Sequence, residues 1–154
     1  MSIWTTPERR QLRDSVRHFA EREIVPNIDE WERSGELPRE LHRRAAEAGL
    51  LGTDLPGSVG GGGGDAADSL TISEALHEAG TPGGVYASLF TCGISVPHMA
   101  ASGDERLIEK FVRPTLRGDL IGSLAITEPG GGSDVGHLRT TATRDGDEYI
   151  VNGA

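Results

Sequence analysis

From Gly83 to Ser102 the chain contains no Asp, Glu, Lys or Arg, and this stretch limits the possible folds more than any other. A helix over it is apolar nearly all round, so it must be buried in protein or must span a membrane. Thr91, Gly93, Ser95, Pro97 and His98 lower its hydrophobicity, and no basic flank sets an orientation across a bilayer. The reading is therefore a buried central helix, with no membrane span, bent at Pro97, whose ring removes one backbone hydrogen bond and collides with the preceding turn.

A core built on such a helix needs amphipathic partners, and the flanking sequence supplies them. Thr6 followed by Pro7 opens a helix, with a hydroxyl cap and a proline where its missing N–H has no consequence. Leu12, Val16, Phe19, Ala20 and Ile24 then share one face, with Arg9, Arg10, Arg13, Arg17 and Glu21 on the others. Pro26 is expected to end this helix and Trp31 to anchor the connection. A second helix opens near Pro38, sets Leu37, Leu41, Ala45 and Ala48 on one face, and closes at Gly49, with Leu50 placed for the contact that accompanies a glycine C-cap. A third, capped by Asp65, carries Leu70, Ile72, Leu76 and Ala79 and stops at Gly80-Thr81-Pro82. Beyond the charge-free stretch, Asp104 starts another with Leu107, Ile108, Phe111, Val112 and Leu116 inside, bent at Pro114 and finished at Gly118. Between the second and third helices lies Gly57-Ser58-Val59 followed by the run Gly60 to Gly64, either a domain linker or a mobile loop. The cap at Asp65 favours the loop, and no spaced G-x-G-x-x-G suggests a dinucleotide turn.

With 15 Lys and Arg against 24 Asp and Glu, the net charge is −9. Nucleic acid and anionic membrane surfaces are poor partners for such a chain, because both need a basic patch. Cys92, the single cysteine, reads as a buried reduced thiol and fits a cytoplasmic location. No His or Cys pair has metal-ligand spacing, and Met1-Ser2-Ile3-Trp4 passes into charged residues too soon for a secretory signal.

After Gly118 the periodicity changes from helix to strand. Leu120 to Ile126 is a short apolar run. Leu138, Thr140 and Ala142 alternate with Arg139, Thr141 and Thr143, and Asp145-Gly146 reads as a hairpin turn into Tyr149-Ile150-Val151. Asn152-Gly153-Ala154 resembles another hairpin turn without its second strand, as in a fragment. Between the apolar run and the hairpin stands Thr127-Glu128-Pro129-Gly130-Gly131-Gly132-Ser133-Asp134. Its glycines leave N–H groups unguarded for a phosphate or carbonyl, although a surface turn between strands has the same composition. Lacking a lysine and the preceding spacing, the segment is not a nucleoside-triphosphate loop. Ser133, Asp134 and His137 contain the ingredients of a hydrolase triad but no G-x-S-x-G elbow, and Glu128, just before a proline, suits a structural carboxylate better than a base.

The order of these segments resembles the acyl-CoA dehydrogenase family over essentially the whole chain: helices, then Gly118-Asp119, then Ala125-Ile126-Thr127-Glu128-Pro129-Gly130-Gly131-Gly132-Ser133-Asp134, then Gly146-Asp147-Glu148-Tyr149-Ile150-Val151-Asn152-Gly153. The resemblance implies an α+β fragment, with an all-α N-terminal domain over 1–118 and the first strands of an antiparallel β domain over 119–154. It implies FAD as cofactor, an acyl-CoA substrate oxidised to the 2,3-enoyl thioester, an electron-transfer flavoprotein as acceptor, and a homo-oligomer when complete. Matched by position, Leu124, Ala125, Ile126 and Thr127 would lie against the flavin, with the Thr127 hydroxyl on its polar edge. Gly132 and Ser133 would reach the pyrophosphate, Ser133 would also touch the CoA, and Phe90, with Tyr86, would face the acyl end. On residue chemistry alone, Leu124 and Ile126 can equally be core, Thr127 and Ser133 can satisfy backbone groups, and Phe90 can be plain packing. The catalytic carboxylate of the family has no counterpart here, so the 154 residues alone are expected to be inactive and to hold FAD weakly or not at all. A flavin-dependent oxidase or monooxygenase of the same fold, or a non-catalytic helical interaction module, are the alternative readings.

Overall fold

The computed structural model describes residues 4–153, and the chain divides into two compact units, Met1–Ser123 and Leu124–Ala154. The first is helical. Helix α1 (Pro7–Phe19) starts where the Thr6 hydroxyl accepts from the Arg9 N–H, and buries Val16 and Phe19. Contrary to expectation, Pro26 does not end the helical path. A π-turn over Ala20–Ile24 lets the Val25 N–H reach the Ala20 carbonyl five residues back, and a short 3₁₀ turn (Val25–Asn27) leads directly into α2 (Ile28–Ser34). Widening the helix just before the proline absorbs the hydrogen bond that the ring removes. Trp31 thus sits in a helix, packed against the core, and not in a connection.

The third helix, α3 (Arg39–Glu47), ends at Gly49 (φ +71°). The Leu50 N–H returns to the Ala45 carbonyl and the Gly49 N–H to Ala46, which together satisfy the last carbonyls. The same pair of bonds closes α4 (Ala66–Glu78) at Gly80 and the last helix at Gly118. Asp65 caps α4 reciprocally with Asp68, and both carboxylates also bind Arg9 of α1, while Arg13 reaches Glu74 and Glu78. Helix α4 turns Ala67, Thr71, Ile72, Ala75 and Leu76 inward and leaves Leu70 exposed.

The Gly60 to Gly64 run is neither a linker nor a loose loop. The Gly61 N–H donates to Pro56, Gly62 to Gly52, Gly63 to Leu55 and Gly64 to Thr53, all at 2.8–3.0 Å. A Cβ on Gly61 would lie 2.2 Å from the Leu55 carbonyl oxygen, and one on Gly62 3.0 Å from that of Thr53. Glycine is needed because two backbones press together.

The charge-free stretch is also not one buried helix. It forms α5 (Gly83–Phe90) and α6 (Cys92–Ala101), interrupted at Thr91, whose hydroxyl bonds back to the Ala87 carbonyl. The break lies six residues before Pro97, which sits inside α6. Val85, Leu89, Cys92, Ser95 and Val96 are buried, whereas Gly93 and Ile94, the latter 57% exposed, face outward. A short α7 (Glu105–Leu107), capped by Asp104, continues through a second π-turn (Ile108–Val112) into α8 (Arg113–Leu116), and Pro114 is absorbed as Pro26 is.

The second unit holds a two-stranded antiparallel sheet, β1 (Thr141–Asp145) with β2 (Glu148–Asn152), in register Thr143 to Ile150. The turn is Gly146-Asp147, with the positive φ at Gly146 that the first central position of a tight hairpin takes. Three strand expectations are corrected. Leu120 to Ile126 forms no strand and has no ladder partner among the described residues. Arg139 and Thr140 stay outside β1 because a side chain already holds their N–H groups. Asn152 pairs with Thr141 and so is strand and not turn; Ala154 lies outside the described residues.

The clash at Gly61 makes a stability prediction. Gly61→Ala should lower the unfolding free energy by about 1–3 kcal/mol, as overpacking against fixed backbone does. Urea denaturation checks this, and an unchanged midpoint would contradict the packing described.

Candidate functional site

In the second unit the segment from Leu124 to Ser133 is held from one point. Both carboxylate oxygens of Glu128 accept backbone N–H groups, from Arg139 and Thr140, at 2.8 Å each. Its interaction with Thr140, then these N–H bonds, hold the Glu128 carboxyl below the ordinary glutamate range. The turn beyond is tied by the Gly131 N–H to the Glu128 carbonyl, 3.1 Å. Asp134 accepts from the Gly136 N–H and contacts His137 Nδ1 at 2.6 Å. Ser133 bonds to neither, so no Ser-His-Asp relay is assembled.

What the segment leaves open matters more. Among the described residues, the N–H groups of Gly130, Gly132 and Ser133 donate to no protein acceptor, and the hydroxyls of Thr127 and Ser133 have no partner. Gly130, Gly131 and Gly132 have no positive φ, and a Cβ on Gly130 or Gly132 would meet nothing within 4 Å. Neither turn geometry nor packing calls for glycine there; what glycine provides is unobstructed approach to the backbone. Leu124 and Ile126, each 41% exposed, present apolar surface in the same unit, with Ala125 and Thr127 also exposed. A run of free donors beside apolar surface is a donor set suited to a phosphate-bearing, ring-containing cofactor.

Phe90 belongs to the first unit, where it lines a cavity of about 160 Å³ with Leu55, Ile72, Tyr86, Cys92 and Gly93. The Tyr86 and Phe90 rings are stacked 4.7 Å apart at 27°, and His77 lies 4.9 Å from Tyr86. Burial pushes the Cys92 thiol above its usual pKa, so it stays protonated and apolar. His42 is buried with Nε2 3.3 Å from the Ser88 carbonyl, a packing role. Sequence reasoning passed over Leu55 and Gly93; a glycine within a charge-free helical stretch was the available signal for the latter. No helix among the described residues is long and apolar enough to cross a membrane, and no group of three or more His, Cys, Asp or Glu is placed to hold a metal.

Residues 6–119 match the family model described as the acyl-CoA dehydrogenase N-terminal domain. The chain belongs to the acyl-CoA dehydrogenase family. A crystal structure assigned as an acyl-CoA dehydrogenase of Mycobacterium smegmatis is 70% identical, with a TM-score of 0.95 over 99% of this chain and 40% of that one. A glutaryl-CoA dehydrogenase of the same organism, solved in complex with FADH2, is 27% identical with a TM-score of 0.85, covering 97% of this chain and 38% of its own. The 3-(aryl)acrylate reductase of Clostridium sporogenes is 37% identical over 98% of this chain and 40% of its length. The chain thus spans about 40% of the relatives it matches.

The clamp at Glu128 makes a testable statement about this acyl-CoA dehydrogenase segment. A depressed carboxyl contributes order that is fully present above the ordinary glutamate range and is lost as pH falls through the lower folded value. Carboxyl NMR should give Glu128 a midpoint below other glutamates, with the Arg139 and Thr140 amide shifts titrating alongside it. A midpoint at or above the ordinary value would refute the clamp.

Proposed function

We propose that this chain is the N-terminal part of an FAD-dependent acyl-CoA dehydrogenase, and that the segment from Leu124 to Ser133 is the half of the flavin site it contributes. The observation that carries the reading is the set of unpaired Gly130, Gly132 and Ser133 N–H groups at glycines the fold itself does not require. FAD bound there supplies a hydride acceptor for the β carbon of an acyl-CoA thioester as the α proton is removed. Leu124, Ala125 and Ile126 offer the ring an apolar face and exclude water from it. The Thr127 hydroxyl, free to donate or accept, orients the polar edge. The Gly132 and Ser133 N–H groups bind the pyrophosphate in a chain of net negative charge, and the Ser133 hydroxyl also meets the CoA. Phe90 and Tyr86 face the acyl end. Glu128 is not the base, since both its oxygens are engaged by backbone. An electron-transfer flavoprotein as acceptor, a homo-oligomeric assembly and a cytoplasmic location complete the reading.

In the complete protein, acyl-CoA should bleach the bound flavin anaerobically, and artificial-acceptor reduction should exceed oxygen consumption. An oxidase or monooxygenase would reverse that order. Gly132→Val should weaken FAD binding to the apoprotein by about tenfold or more, the loss expected when one or two charge-assisted hydrogen bonds are blocked; unchanged affinity would remove the pyrophosphate assignment. Phe90→Ala should shift the preferred acyl group, measured as relative kcat/KM across a thioester series. An identical profile would confine Phe90 to packing.

A further inference from the structure

The cavity beneath Phe90 carries information about the substrate that the family assignment does not. A pocket of about 160 Å³, open to solvent on one side, is lined by the apolar Ile72, Tyr86, Phe90 and Cys92 and by the polar Thr53, Asp54 and Ser69. Its volume is close to the roughly 150 Å³ that accepts a benzene ring. The walls here favour a ring over a chain. Tyr86 and Phe90 form a stacked aromatic pair, a surface to which another ring adds by offset or edge contact. The buried Cys92 side chain adds a small apolar surface to the lining. A flexible alkyl chain of equal volume would lose more rotamer entropy in the same space.

Gly93 lies on the lining of this pocket. It lies in the first turn of α6 with ordinary helical φ, it is exposed, and a Cβ there would meet nothing within 4 Å. Glycine weakens a helix relative to alanine, and neither backbone nor neighbour requires it at this position. A side chain at this position on the pocket lining would compete for the pocket's space. At the rim, exposed Asp54 has no ion-pair partner among the described residues, so an acyl group ending in a carboxylate would meet an uncompensated like charge.

We infer that this cavity receives the aryl end of an aryl-terminated, uncharged acyl thioester, with Gly93 as the specificity-determining position; this rests on the acyl-CoA dehydrogenase reading above. The test uses the complete flavin-loaded protein with 3-phenylpropanoyl-CoA, octanoyl-CoA, butanoyl-CoA and glutaryl-CoA. The inference expects kcat/KM for the phenyl thioester to exceed that for octanoyl-CoA by about tenfold or more, with glutaryl-CoA poorest, since filling or emptying a pocket by a few carbons changes selectivity on that scale. Gly93→Leu should lower the phenylpropanoyl-to-butanoyl ratio by about tenfold or more, and Gly93→Ala by less. Tyr86→Leu, which removes a ring face, should lower the same ratio and serves should Gly93→Leu fail to fold. Octanoyl-CoA matching or beating the phenyl thioester, or a ratio unmoved in variants with wild-type unfolding temperature, would overturn the inference and leave the dehydrogenase reading standing. Failure of every thioester to reduce the flavin would overturn both.

Discussion

Backbone packs directly on backbone where residues 52–56 meet residues 61–64, and much of the helical unit depends on that contact. Four consecutive glycine N–H groups, Gly61 to Gly64, end on carbonyls of the facing segment, so the close crossing leaves none of these donors unmet. One end of the crossing delivers Asp65 to the start of α4, where it caps the helix and binds Arg9 of α1. At the other end, Gly52 approaches so closely that a Cβ would lie 2.5 Å from Leu116 of α8, and Leu55 forms part of the cavity wall. A side chain on Gly61 would therefore disturb a helix cap, an interhelical ion pair and a pocket together.

The two glycine runs of this protein do opposite things with the same residue. In Gly60 to Gly64 the donors from Gly61 onward are spent internally and Gly60 adopts a positive φ, so glycine serves the fold. In Gly130 to Gly132 neither constraint operates, yet two of the three N–H groups stay free, and the proposed function rests on that difference. The free donors keep their position because Glu128, one residue before Pro129, spends both oxygens on the backbone of Arg139 and Thr140.

Local chemistry was legible in the sequence, and long-range pairing was not. Thr6-Pro7, Gly49-Leu50, Asp65 and Gly118 could be read because a cap depends on residues a few positions away. Pro26 was misread as a stop because the decisive fact, the packing of Ile28 and Trp31 against the core beyond it, is tertiary; a π-turn then costs less than losing that packing. Leu120 to Ile126 has strand composition, but a strand needs a partner. The segment from Leu124 to Ser133 could be singled out by residue type and by resemblance. That its donors are unpaired and its glycines structurally unnecessary required coordinates. The cavity at Gly93 was invisible for the same reason, since an empty space has no residue of its own.

Amide hydrogen exchange of the complete protein, with and without FAD, tests most directly the claim that one glycine run serves the fold and the other the cofactor. Residues 61–64 should be protected in both states, whereas 130–133 should exchange freely in the apoprotein and slow markedly when FAD is added. Exchange at 130–133 that is indifferent to FAD, or fast exchange at 61–64 in the folded apoprotein, would contradict it.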